Sequence, residues 1–197
     1  MTRQVHPIET ESYRRLRAAV DLSGLPPLSR AVTERVIHAS ADLDYATDLV
    51  CDEPALAAGV AALRSGRPLV ADVRMVAAGI TATAATCGLD HPEAGDLAAE
   101  RGLTRSAAGM LAAARDAGPG AVYVIGCAPT ALFALLDADA DPALVVGLPV
   151  GFVDAVESKQ ALRDAGLPAL TNRSPKGGSA VAAAAVNALL YSEGTPS

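Results

Sequence analysis

The sequence predicts an α/β fold: a single domain, residues 1–197, built on a doubly wound, mainly parallel sheet flanked by helices. Three observations lead there. Short runs rich in valine, leucine and isoleucine alternate with longer helical stretches, an order that implies parallel strands joined by crossover helices. The 197 residues suffice for one domain with a sizeable core. No internal repeat and no linker divides the chain.

The elements follow in order. A charged first helix runs from Ile8 to Val20 and ends near Gly24 and Pro26-Pro27. A second begins at Ser29 as N-cap, with Glu34 in its early turns, and carries Val32, Val36 and Ala39 on one face. A short helix over Tyr45–Val50 precedes another over Pro54–Arg64, closed by Gly66. The run Arg67–Val73 reads as a buried strand, and MVAAGITATAAT (75–86) as a helix broken at Gly79. A further helix starts at Arg105 after Gly102. The clearest strand, Ala121–Ile125, leads into the helix Pro129–Leu136. Leu144–Leu148 and Pro168–Thr171 are the remaining strands, separated by a helix over Val156–Ala165 that stops at Gly166. A closing helix spans Gly178–Leu190, and the terminal EGTPS is expected to fray. In such sheets ligands bind beyond the carboxyl ends of the strands. The loops after Val73, Ile125, Leu148 and Thr171 should therefore line the site.

Composition narrows the class. Hydrophobic residues make up 51%, but aromatics only 3% and tryptophan is absent, so the core must rest on close alanine-mediated helix packing and aliphatic strands. No apolar run approaches the roughly 18 residues of a membrane span; the alanine-rich stretch Ala180–Leu190 is short and interrupted by Asn187. The segment MTRQVHPIETES has no apolar stretch after its basic residue, so it is not a secretory signal, and a cytoplasmic protein is expected. A net charge of −6 with singly scattered cations disfavours nucleic acid. Cys51, Cys87 and Cys127 are odd in number, widely spaced and form no CxxC pair. They read as small buried hydrophobes rather than as a disulfide framework or zinc site.

Few residues carry chemistry by pattern. Histidine is the commonest neutral-pH proton donor, since its unperturbed pKa of about 6.5 leaves both forms available. His38 lies on the second helix, but a lone helical histidine is more often without a task, and spacing alone favours that reading. His6 and His91 are weaker, and the three have no metal-ligand spacing. Gly177-Gly178-Ser179 opens the closing helix, with Arg173 and Lys176 just upstream. Close backbone approach and free N–H groups at a helix start suit an anion, though an ordinary capped helix looks the same. Arg105 opposes the dipole of the helix it begins, a mild pointer to ligand recognition. The turn Gly147-Leu148-Pro149-Val150-Gly151 is not GxGxxG, and neither GxxxxGK[ST] nor GxSxG occurs. A dinucleotide, a nucleoside triphosphate and ordinary serine hydrolysis are thus disfavoured.

Seven segments in this order resemble the precorrin-8X methylmutases, the precorrin isomerases of cobalamin biosynthesis: IETESY (8–13), RVIHASADLDYA (35–46), DVRMVAAGIT (72–81), LTRSAAGM (103–110), GCAPTALFALL (126–136), GLPVGFVDAVESK (147–159) and KGGSAVAAAAVNAL (176–189). The resemblance implies an α/β homodimer with its site at or near the subunit interface. It also implies an isomerase that moves a methyl group from C-11 to C-12 of a tetrapyrrole, precorrin-8X or cobalt-precorrin-8, without a redox cofactor. The family's catalytic histidine falls on His38, as a proton donor to the macrocycle, and its substrate-contacting serine on Ser12. Arg105 matches the arginine of the family's TRS motif, suited to a peripheral carboxylate by its bidentate fork. Arg173, Lys176, Gly177, Gly178 and Ser179 complete the substrate-binding set. Where relatives often show arginine-glycine-arginine before GGS, this chain reads Asn172-Arg173-Ser174-Pro175-Lys176. That leaves open which carboxylates are gripped there. Two rival readings are a non-catalytic tetrapyrrole carrier and a flavodoxin-like module binding flavin or nucleotide.

Overall fold

The computed structural model describes residues 6–191, so the EGTPS tail lies outside the described residues. Six strands form one sheet in the order β1-β6-β5-β4-β2-β3. Strands β2 (Leu69–Ala71), β3 (Thr86–Cys87), β4 (Val122–Ile125), β5 (Leu144–Gly147) and β6 (Ala169–Asn172) run parallel, and β1 (Leu49–Cys51) closes the edge antiparallel to β6. The alternation of side chains along these strands divides the core in two. Leu69, Ala71, Val122, Val124, Leu144 and Val146 face the helices α1 (Pro7–Ala19), α2 (Pro27–Ser40), α4 (Glu53–Arg64), α5 (Arg74–Gly79) and α10 (Ser179–Tyr191). Val70, Tyr123, Ile125 and Val145 face α7 (Arg105–Ala117), α8 (Pro129–Asp137) and α9 (Ala155–Asp164). Both faces are covered, as a doubly wound sheet requires, and the central strands are buried throughout.

Several boundaries differ from the sequence expectation, each for a physical reason. α2 begins at Pro27, and Ser29 sits inside it. The cap is remote: the Glu53 carboxylate accepts from the Leu28 and Ser29 N–H groups and from the Ser29 hydroxyl. The short helix expected over Tyr45–Val50 ends at Asp48 (α3, Tyr45–Asp48), and its last residues turn into β1, a strand too short to show a period. The helix expected over 75–86 with a break at Gly79 ends at that break and does not resume. There the buried Asn187 side chain donates to the Gly79 carbonyl and accepts from the Thr81 N–H, taking the place of another helical turn. β3 follows instead, and then α6 (Ala94–Arg101), to which the sequence reading assigns no element. Cys51, Cys87 and Cys127 are free, and half-buried rather than core.

Candidate functional site

The chain turns back sharply between α1 and α2, and the two helices pack as an antiparallel hairpin zipped by Arg17–Glu34 and Arg35–Glu9 ion pairs. The zipper brings Ser12 to His38 across 26 positions: Ser12 Oγ lies 3.0 Å from His38 Nδ1. The Tyr13 ring stacks on the imidazole, centroids 4.7 Å apart and planes within 8°. With Nδ1 engaged by Ser12 and one face covered by Tyr13, the imidazole is fixed in orientation, and among the described residues Nε2 has no hydrogen-bond partner. His38 is half-buried in the last turn of α2. Its partner Ser12 lines an open groove of about 520 Å³ with Pro7, Ile8, Glu11 and Arg15.

The second element is the loop between β6 and α10. Gly177 has φ +152°, and a Cβ there would stand 2.3 Å from the Leu148 carbonyl oxygen, so only glycine lets this loop cross the end of β5. The Gly178 N–H donates to that same carbonyl at 2.9 Å, which uses one of the N–H groups expected to meet an anion. Ser179, buried, is the first residue of α10. Arg173 is exposed, and its guanidinium reaches the Thr47 carbonyl at 3.4 Å. The Lys176 ammonium is held by Asp42 at 2.7 Å and Asp44 at 2.5 Å. These carboxylates raise the Lys176 pKa, and Lys176 in turn lowers that of Asp42. Because Asp42 and Asp44 directly follow α2, this pairing ties the cationic loop to the helix that carries His38.

Two buried charges shape the strand ends. Lys159, on α9, is fully buried and donates to Asn172 Oδ1 at 3.0 Å, to the Lys176 carbonyl at 2.8 Å and to the Ser174 carbonyl. Burial brings its pKa down to about 8. Asp72, just past β2, accepts from the Gly126, Cys127 and Ala128 N–H groups at 3.1, 2.8 and 2.9 Å. Burial raises its pKa against the opposing pull of those donors. This is the topological switch point, where β3 departs to one side of β2 and β4, β5 and β6 to the other. The crevice in which such sheets commonly bind ligands is here spanned by the protein's own carboxylate.

Arg105 is exposed at the first turn of α7, whose N-cap Thr104 accepts from the Ala107 N–H. Thr104 also meets Thr130 of α8 at 2.8 Å, which sets Arg105 at the carboxyl edge of the sheet. It lies near Asp90, which pairs with Arg74. The structure thus brings Ser12 and His38 together. It gathers Arg173, Lys176, Gly177, Gly178 and Ser179 in one loop joined to the His38 helix. Arg105 stands at the same edge but on the opposite face of the sheet. Sequence reasoning did not single out Tyr13, Asp48, Asp72 or Lys159. For Lys159 a signal exists, since it shares the buried stripe of α9 with Ala155, Ser158 and Leu162.

A family model described as precorrin-8X methylmutase matches residues 7–192. A precorrin-8X methylmutase of Pseudomonas aeruginosa is 45% identical over 194 residues, covering 92% of this chain and 93% of the relative. A cobalt-precorrin-8 methylmutase of Methanocaldococcus jannaschii is 39% identical over 163 residues, covering 81% and 77%. The crystal structure of a precorrin-8X methylmutase from Thermus thermophilus superposes with a TM-score of 0.84 at 36% identity, covering 93% of each chain.

Proposed function

Because the chain belongs to the precorrin-8X methylmutase family, we propose that it moves a methyl group from C-11 to C-12 of precorrin-8X or cobalt-precorrin-8, giving hydrogenobyrinate or cobyrinate. The observation that carries the mechanism is the Ser12–His38 contact beneath the Tyr13 ring. As an imidazolium, His38 donates Nδ1–H to Ser12 Oγ and presents Nε2–H to the macrocycle. Protonation draws electron density toward the ring as the methyl migrates. Substrate and product are isomers, so the proton lent is returned and neither an electron donor nor an acceptor is consumed.

On this reading the ligand is a polyacid, and the cations named above receive its carboxylates. Arg105 offers a bidentate fork to a peripheral carboxylate. Arg173, Lys176 and the Gly177-Gly178-Ser179 step receive others, with Lys176 sharing its ammonium between Asp42, Asp44 and the ligand. Further support comes from the apolar side chains left in water beside these elements. Phe152 is fully exposed, Ile8 is 73% and Met75 67% exposed. Such side chains suit a second copy of the chain, and a homodimer would cover the open groove at Ser12. Among the described residues no helix is long and apolar enough to cross a membrane, and we place the enzyme in the cytoplasm. Incubation of the purified protein with precorrin-8X, followed by visible spectroscopy, tests the reading. Conversion to the corrin spectrum is expected, and an unchanged spectrum contradicts it.

A further inference from the structure

We propose that Lys159 and Asp48 form a two-sided clamp that sets the Asn172–Lys176 loop for substrate, making Lys159 a positioning residue. The inference rests on the reading of that loop as a carboxylate-binding element. Lysine is almost never fully buried unless its ammonium is satisfied, and here the whole satisfaction comes from the loop: one side-chain oxygen and two carbonyls. Turning those carbonyls inward leaves the loop's cationic side chains to point away from the core.

Asp48 grips the same loop from the other side. Its carboxylate accepts from the Arg173 N–H at 3.0 Å, the Ser174 N–H at 2.8 Å, the Ser174 hydroxyl at 2.6 Å and the Asn172 amide at 2.8 Å. Burial works against the Asp48 anion, but these donors prevail and its pKa is lowered. Asn172 is the bridge, accepting from Lys159 and donating to Asp48. Asp48 lies ten residues beyond His38, in the segment that also holds Lys176 through Asp42 and Asp44. The clamp therefore fixes the distance between the proton donor and the cations that orient the macrocycle. It acts on binding, whereas His38 acts on the chemical step.

The test pairs Lys159→Met, which keeps the length of the side chain and removes its donors, with Ser174→Ala, which cuts the Asp48 side at a half-buried position and leaves the core untouched. Hydrogen–deuterium exchange should show the amides of Arg173, Ser174 and Lys176 exchanging about tenfold faster in Lys159→Met, the loss of charged hydrogen bonds. With precorrin-8X, KM should rise about tenfold in Lys159→Met and about threefold in Ser174→Ala, with kcat changed less than KM. A merely structural defect would lower the active fraction, and so kcat, at constant KM. Unchanged loop exchange in a folded Lys159→Met protein, or unchanged KM in Ser174→Ala, would overturn the clamp. A wild-type protein inactive on precorrin-8X would instead sink the functional reading, while the exchange measurement still decides the clamp.

Discussion

Two loops at the carboxyl edge of the sheet are each built around one buried charge, and they are built in opposite senses. At residues 126–128 the anion of Asp72 gathers three backbone N–H groups. At residues 172–176 the cation of Lys159 gathers two carbonyls and an amide oxygen. The first arrangement is self-contained, joining the end of β2 to the start of α8 and filling the switch-point crevice. The second is coupled through Asn172 and Asp48 to the segment that follows His38. The contrast teaches that a buried charge of either sign can mould a loop. Only the one wired to a second element ties the loop's geometry to the site.

The comparison is broken most severely at Asp72. Asp72→Ala removes the carboxylate acceptor of four N–H donors, those of Val73, Gly126, Cys127 and Ala128, and should cost about 3 kcal/mol or more of stability. A denaturant titration reads this as a lower midpoint at unchanged slope. KM for the folded fraction should stay near the wild-type value, in contrast to Lys159→Met.

pH sharpens the same contrast. In the fold Lys159 titrates at about 8, below the 10.5 of a free lysine. Between those values the unfolded chain holds more protons than the native one, so this group's contribution to stability rises with pH across that window. The loop behaves oppositely, because a neutral amine has two donors for three acceptors. KM should therefore climb above about pH 8 while the fold loses nothing from this residue. The charged groups acting on it are Asp48 from α3 and Arg163 from α9. Ser174→Ala should leave the midpoint of that climb in place, and a KM flat from pH 7 to 10 would refute the assignment.

The smallest effect is expected away from both loops. Glu53→Gln weakens the remote cap of α2 and should lower stability by about 1 kcal/mol. Because His38 lies at the other end of that helix, kcat should be unchanged. A thermal scan together with a steady-state assay checks both halves.

What was legible in the sequence follows from where the information lies. Val122–Ile125 and Leu144–Gly147 are buried on both faces, so their aliphatic runs stand out and the parallel sheet follows from them. β1 and β3, three and two residues long, are held by pairing with β6 and β2 and carry no period of their own. The break at Gly79 is legible locally, but the Asn187 side chain that takes over the next turn's hydrogen bonds lies 108 positions away, in no local window. The site divides likewise. Spacing alone leaves His38 without a task, and the role proposed for it comes from the family resemblance. The Ser12 contact, the Tyr13 stack and the pairing of Lys176 with two aspartates come only from the fold of the α1–α2 hairpin against the last loop. Lys159 hid in plain view, a lysine in the apolar stripe of an otherwise ordinary helix.

The most direct measurement sets His38→Ala beside the wild type with precorrin-8X, following both binding and conversion by visible spectroscopy. The account predicts that the variant takes up the macrocycle with near wild-type affinity yet converts it at least about 100-fold more slowly, the usual worth of a positioned proton donor. Conversion by His38→Ala at a rate close to the wild type would contradict it.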